Sequence, residues 1–127
     1  MLKRAEKLAG VHPKLVAVVN AAALLLPFDL YVVEGLRTKE RQRELVAAKK
    51  SKTMNSRHLP QPDGYGHAVD LFNGKDWKEE SFFPIQKAMM EAARLQGVRL
   101  TWGGDFNGDG HTVGRDNWDC PHFQIEL

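Results

Sequence analysis

A single cysteine, Cys120, in a chain of 127 residues leaves no internal disulfide framework, which excludes the small stapled folds of secreted proteins. Long apolar runs are missing too. The most hydrophobic stretch, Leu15 to Leu26, is interrupted by Asn20 and closed by Pro27, short of the roughly 20 apolar residues that cross a bilayer. The charged start, Met1 to Lys7, leads into no apolar segment ending in a small-residue cleavage site, so no export signal is expected. Nor is one sign of charge in surplus: 18 Lys+Arg against 16 Asp+Glu give a net charge of +2. That balance lacks the concentrated basic face of a nucleic-acid binder and suits an anionic polymer only weakly. The expectations are no nucleic-acid partner, no membrane insertion and a monomer.

What is present is the content of an ordinary globular domain, 43% hydrophobic and 27% charged. The length allows one core, so residues 1–127 are read as a single domain. His12-Pro13 followed by Leu15, Val18, Val19, Ala22 and Leu26 predicts a packed helix that Pro27 ends. Leu30 to Val33 predicts a short strand, with a bulge or turn at Gly35. Thr38 is placed to cap a charged helix over Lys39 to Lys50. Ser51 to Gly66 sustains neither period and is read as a long loop, a feature that in compact domains is often functional.

His67 to Phe72 returns to strand character. A third helix is expected with Ser81 as cap, Pro84 in its first turn, core positions Ile85, Ala88, Met89, Ala92 and Leu95, and Gly97 as its stop. Val98 to Trp102 and His122 to Leu127 are read as strands about a polar loop. The fold class is α+β, a short antiparallel sheet packed with helices.

Three polar clusters carry the chemistry: Ser56-Arg57-His58, Gly66 to Asp70, and Asp119-Cys120-Pro121-His122. Two histidines and a carboxylate drawn from them would give a catalytic zinc three protein ligands and leave a fourth position for water. Asp70 sits inside an apolar strand, on the face of Ala68 and opposite Val69 and Leu71, so it needs a partner, whether a metal, an arginine or backbone donors. Asp119 and His122 would lie on opposite faces of a straight strand, but Pro121 favours a turn or strand start. Both then reach one site, His122 as ligand and Asp119 as proton acceptor; the alternative is a surface pair.

The sequence resembles the peptidase family that contains D-alanyl-D-alanine carboxypeptidases and phage L-alanyl-D-glutamate endopeptidases. The likeness lies in Glu34-Gly-Leu-Arg37-Thr38, in Ser56-Arg-His58 with Gly66-His-Ala-Val-Asp70, in Trp102-Gly-Gly-Asp105, and in Asp119-Cys-Pro-His122-Phe. It implies zinc held by His58, Asp70 and His122, with Asp119 as general base. It further implies that Arg37 steadies substrate or oxyanion and that Ser56 helps hold the substrate. One departure is the stretch Leu59 to Tyr65, longer than the two residues the family places there. The rival ligand, His67, would point away from the strand face of Asp70.

The resemblance implies a zinc peptidase acting on peptidoglycan stem peptides, made without a signal peptide in the host bacterial cytoplasm and acting on the wall after release. The L-alanyl-D-glutamate bond is the expected target; the alternatives are D-alanyl-D-alanine carboxypeptidase and a non-catalytic wall-peptide module. Asp105, Asn107, Asp109 and Asp116 space oxygen ligands as a calcium loop would, or form a polar turn. Cys120 is read as packing, since His122 is too near in sequence to pair with a thiol nucleophile. His12 and His111 are read as a helix-start residue and a loop residue. Trp77, Trp102 and Trp118 are read as core and cleft-wall aromatics rather than a carbohydrate platform.

Overall fold

The first helix, α1 (Pro13–Leu25), begins where the sequence says: the His12 ring accepts a hydrogen bond from the Lys14 amide at 3.1 Å, and Pro13 occupies the first turn. Its inward stripe is Leu15, Val18, Val19, Ala22 and Ala23. It packs against α3 (Phe83–Gln96), which buries Ile85, Ala88, Met89, Ala92 and Ala93. Leu95 is not part of that stripe and is 65% exposed. At 100° per residue it falls about 90° from the stripe's centre, and Ala93 takes the core place. Ser81 does not cap α3 either. Glu79–Phe82 form a 3-10 turn ahead of it, and the Ser81 hydroxyl donates to Asp76 instead.

The computed structural model describes residues 1–49, 56–103 and 120–126. Five strands, β1 (Leu2–Lys3), β2 (Leu30–Glu34), β3 (Ala68–Phe72), β4 (Leu100–Trp102) and β5 (His122–Ile125), form one sheet in the order β1-β2-β3-β5-β4. The expected antiparallel pairing holds for β2–β3, β3–β5 and β4–β5. The unpredicted edge strand β1 pairs parallel with β2, so the sheet is mixed. The two parallel strands are joined through α1, the kind of crossover such pairing needs. Among the described residues no helix is long and apolar enough to cross a membrane.

Strand alternation sorts the sheet into two faces. Leu30, Val32, Val69, Leu71, Phe123 and Ile125 join the core with α1 and α3. Asp70 on β3 and His122 and Gln124 on β5 turn to the other face, while Phe72 at the end of β3 packs against the core. The helix α2 (Lys39–Ala47) is capped by the Thr38 hydroxyl, which accepts from the Arg41 amide at 3.1 Å. Gln42 is its buried anchor. Of the tryptophans, Trp102 is core, 5% exposed, whereas Trp77 is 58% exposed and is not.

Candidate metal centre

Asp70 and His122 are cross-strand partners in the β3–β5 ladder, so the ladder that closes the core also sets their separation. His122 Nδ1 lies 3.5 Å from Asp70 Oδ1. His58 comes from the loop before β3, with Nε2 3.2 Å from the same oxygen, and the two rings meet at 5.1 Å. His58 and His122 are buried, Asp70 is half-buried, and one ligand atom of each lies within 4.8 Å of the others. The structure therefore brings together the three residues that the sequence nominated.

The far nitrogens fix the ring orientation. His58 Nδ1 is 2.8 Å from the carbonyl of Gly35, which can only accept, so the proton sits on Nδ1 and Nε2 faces the cluster. His122 Nε2 is 2.8 Å from Gln124 Oε1, and the Gln124 amide nitrogen donates to Glu126 at 2.7 Å. That second bond sets the amide so that its oxygen receives the His122 proton. Two lone pairs then point at one carboxylate oxygen, an unfavourable array unless protons or a cation lie between them. Tetrahedral bonds of about 2.1 Å have edges of about 3.4 Å, and the two separations of 3.2 and 3.5 Å bracket that edge. The donor set of two imidazoles and a carboxylate fits zinc.

Burial pushes the Asp70 carboxyl up, but with no metal bound, protons between it and the His122 and His58 rings outweigh burial and hold the group well below the usual carboxylate range. It stays ionised at any working pH. The sequence reading missed the supporting groups, the Gly35 carbonyl, Gln124 and Glu126. Gln124 stands two residues beyond a candidate ligand on the same strand face, a spacing that could have marked it.

The stretch Leu59 to Tyr65 loops out and returns to Gly66, just before β3, while His58 stays beside Asp70. Pro60 and Gly66 form an antiparallel bridge, Gln61 takes the Tyr65 carbonyl at 2.9 Å, and Leu59 is buried. His67 is spent elsewhere: its Nε2 lies 2.7 Å from Asp63 Oδ2. The helix-start residue His12 packs its ring edge-on to those of Tyr65 and His67.

Arg37 is 9% exposed, and its Nε and Nη2 bind the Glu34 carboxylate at 2.7 and 2.6 Å. Nη1 reaches Gln42 at 2.6 Å and Ser56 Oγ at 3.4 Å. Ser56 also accepts from the His58 amide at 3.1 Å, so the two expected substrate residues meet two residues from a candidate ligand. Cys120 is buried, and its carbonyl accepts from the Trp102 indole at 2.7 Å, in keeping with a packing role. Asp119, Trp118, His111 and the calcium candidates Asp105, Asn107, Asp109 and Asp116 lie outside the described residues.

An α+β domain whose sheet and adjoining loop converge two histidines and an aspartate defines a small protein with a group of side chains that could hold a divalent metal. A family model described as phage L-alanyl-D-glutamate peptidase matches residues 2–126, and the chain belongs to that family. It is 33% identical over 135 residues to the L-alanyl-D-glutamate peptidase of Escherichia phage T5, covering 97% of this chain and 95% of that protein. The crystal structure of the Serratia marcescens L-Ala D-Glu endopeptidase ChiX superposes with a TM-score of 0.80 at 35% identity, covering 99% of this chain and 90% of that one.

Proposed function

We propose that the chain is a zinc endopeptidase of phage origin that hydrolyses the L-alanyl-D-glutamate bond in peptidoglycan stem peptides, with His58, Asp70 and His122 as its metal ligands. The observation that carries this reading is the meeting of those three side chains, with both imidazoles at tetrahedral separations from one Asp70 oxygen and each held by an acceptor behind it. Zinc, when bound, supplies Lewis acidity, lowering the pKa of water and polarising the scissile carbonyl.

The remaining work falls to this chain's own groups. Asp119, three residues before His122, removes the proton from the attacking water and returns it to the departing amine. Arg37, held rigid by Glu34, turns its Nη1 edge toward Ser56. From there the two side chains orient the substrate and steady charge as the carbonyl becomes tetrahedral. All three ligands come from one chain, so a monomer suffices. Kinship with phage enzymes supports synthesis in the bacterial host and action on the wall after release.

The test is mass spectrometry of purified muropeptides after digestion, paired with zinc analysis. Cleavage between L-alanine and D-glutamate, lost on chelation, is expected with about one zinc per chain. Asp119→Ala should abolish turnover and keep the zinc. Release of a single terminal D-alanine, or no cleavage by zinc-loaded protein, would overturn the reading.

A further inference from the structure

The row of side chains behind His122 continues past Gln124. His122 and Gln124 alternate onto one face of β5, and Glu126, two residues on, takes the next place in the row. The chain is still held in line there, because the Glu126 amide donates to the Arg99 carbonyl at 2.9 Å. Glu126 Oε1 accepts from the Gln124 amide nitrogen at 2.7 Å, and Oε2 lies 3.7 Å from Arg57 Nη2. Arg57 is the residue before His58. Its carbonyl accepts from the His67 amide at 2.8 Å, and the His67 carbonyl accepts from the Ile125 amide at 2.9 Å, so the backbone sets Arg57 beside the end of β5. The contacts close a circuit from His58 through Asp70, His122, Gln124 and Glu126 to Arg57.

What Glu126 contributes is direction rather than strength. Its side chain is 32% exposed and that of Arg57 42%, and an ion pair so placed adds little to stability. A carboxylate, however, can only accept. Facing it, Gln124 must present its amide nitrogen, which leaves its oxygen for His122 and puts the His122 proton on Nε2. With the amide reversed, its nitrogen would donate to Nε2, the proton would sit on Nδ1 against Asp70, and the lone pair toward a metal would be lost. The bonds from His122 to Gln124 and from Gln124 to Glu126 also run in one sense, so each strengthens the other and the charge on Glu126 makes Nδ1 a better ligand.

We propose that Glu126 is a positioning residue for the metal centre: acting through Gln124, it decides which nitrogen of His122 is free for the metal, while Arg57 holds its second oxygen and ties it to the loop that carries His58. This rests on the ligand set of His58, Asp70 and His122 given above. Because the carboxylate works by orienting one amide, its effect on the metal must vanish once that amide is gone.

Zinc affinity, measured by competition with a chromophoric chelator, tests this in a double-mutant cycle of Glu126→Leu and Gln124→Met. Glu126→Leu alone should weaken affinity about threefold to tenfold, the scale of one hydrogen bond, with little change in the unfolding midpoint of chelated protein. Glu126→Gln, which keeps an acceptor but adds a donor, should lose less. In the Gln124→Met background, Glu126→Leu should change affinity by less than about twofold. A full loss in that background would refute the route through Gln124, and unchanged affinity in Glu126→Leu alone would refute the role. A second measurement needs no variant: heteronuclear NMR of the zinc-loaded wild type should show the Gln124 side-chain amide protons shifted and slow to exchange. The shifts and exchange of a free glutamine would overturn the inference even if the variants failed to fold. Wild-type protein that takes up no zinc would sink the ligand set itself, an outcome distinct from all of these.

Discussion

Gln124→Met removes the acceptor behind His122 while keeping side-chain length. In the folded protein His122 Nε2 lies 2.8 Å from Gln124 Oε1, and His122 is 7% exposed, so water cannot readily replace the lost partner. Leaving a buried donor unsatisfied costs about 1–3 kcal/mol. The ring can avoid that cost only by moving its proton to Nδ1, the nitrogen that faces Asp70, and this removes the lone pair a metal needs. Loss of such a supporting partner ordinarily weakens metal affinity about 10–100-fold, or about 1.4–2.7 kcal/mol, which agrees with the burial argument. Competition against a chromophoric zinc chelator measures the affinity, and thermal unfolding of chelated protein measures the fold. The expected result is a large fall in zinc affinity with a small change in the metal-free midpoint. An affinity within twofold of wild type would refute the assignment of Gln124 as the group that fixes the His122 proton.

Two further perturbations probe the frame around the site. Gly35→Ala would place a Cβ 2.2 Å from the Lys7 carbonyl, so β2 and the N-terminal turn must part; a loss of about 1–3 kcal/mol is expected in urea unfolding, with weaker zinc binding as the Gly35 carbonyl leaves His58. An unchanged unfolding midpoint would contradict that packing. The Asp63 carboxyl is held below its ordinary value of 3.8 chiefly by the Tyr65 amide, against slight desolvation, with His67 adding to the pull. A depressed carboxylate stabilises the fold above its ordinary value and loses that contribution as pH falls below it. In chelated protein, Asp63→Asn should therefore flatten the fall of the unfolding midpoint between about pH 5 and pH 3; parallel curves for variant and wild type would remove Asp63 from that role.

Where side chains obey a local rule, the sequence announces them. His12-Pro13 marks a helix start, Thr38 marks another, and the alternation of Ala68 to Phe72 puts Asp70 on the face away from the core. The candidate ligands were legible because their types and order match a family pattern, and because a carboxylate in an apolar strand demands a partner. What escaped is set by tertiary contact. The two residues of β1 pair with β2 only after α1 has carried the chain across, and no period can show in so short a strand. Leu95 is apolar and correctly spaced from Ala92, but the stripe that matters is the one facing α1. Glu34 was noticed as part of a motif, yet its service as the bidentate partner of Arg37 depends on the register shift between Val32 and Glu34. That irregularity is consistent with the bulge or turn expected at Gly35, and it brings Glu34 opposite Asp70.

The three proposed ligands do not share one source of rigidity. Asp70 and His122 are adjacent rungs of a ladder whose other face is Val69, Leu71, Phe123 and Ile125, so the hydrophobic core that folds the protein also holds their spacing. His58 has no strand beneath it. Its place depends on the Gly35 carbonyl at its ring, the Ser56 hydroxyl at its amide, the Arg37 amide at its carbonyl and the burial of Leu59 behind it. These are a handful of contacts of about 1 kcal/mol each, against which the ordering of several loop residues must be set. A bound metal adds most to the ligand with the weakest support of its own. With the metal that we propose bound, its occupancy and the placing of Ser56 beside Arg37 would be linked, so the group proposed to activate water would also help to complete the surface proposed to receive the substrate.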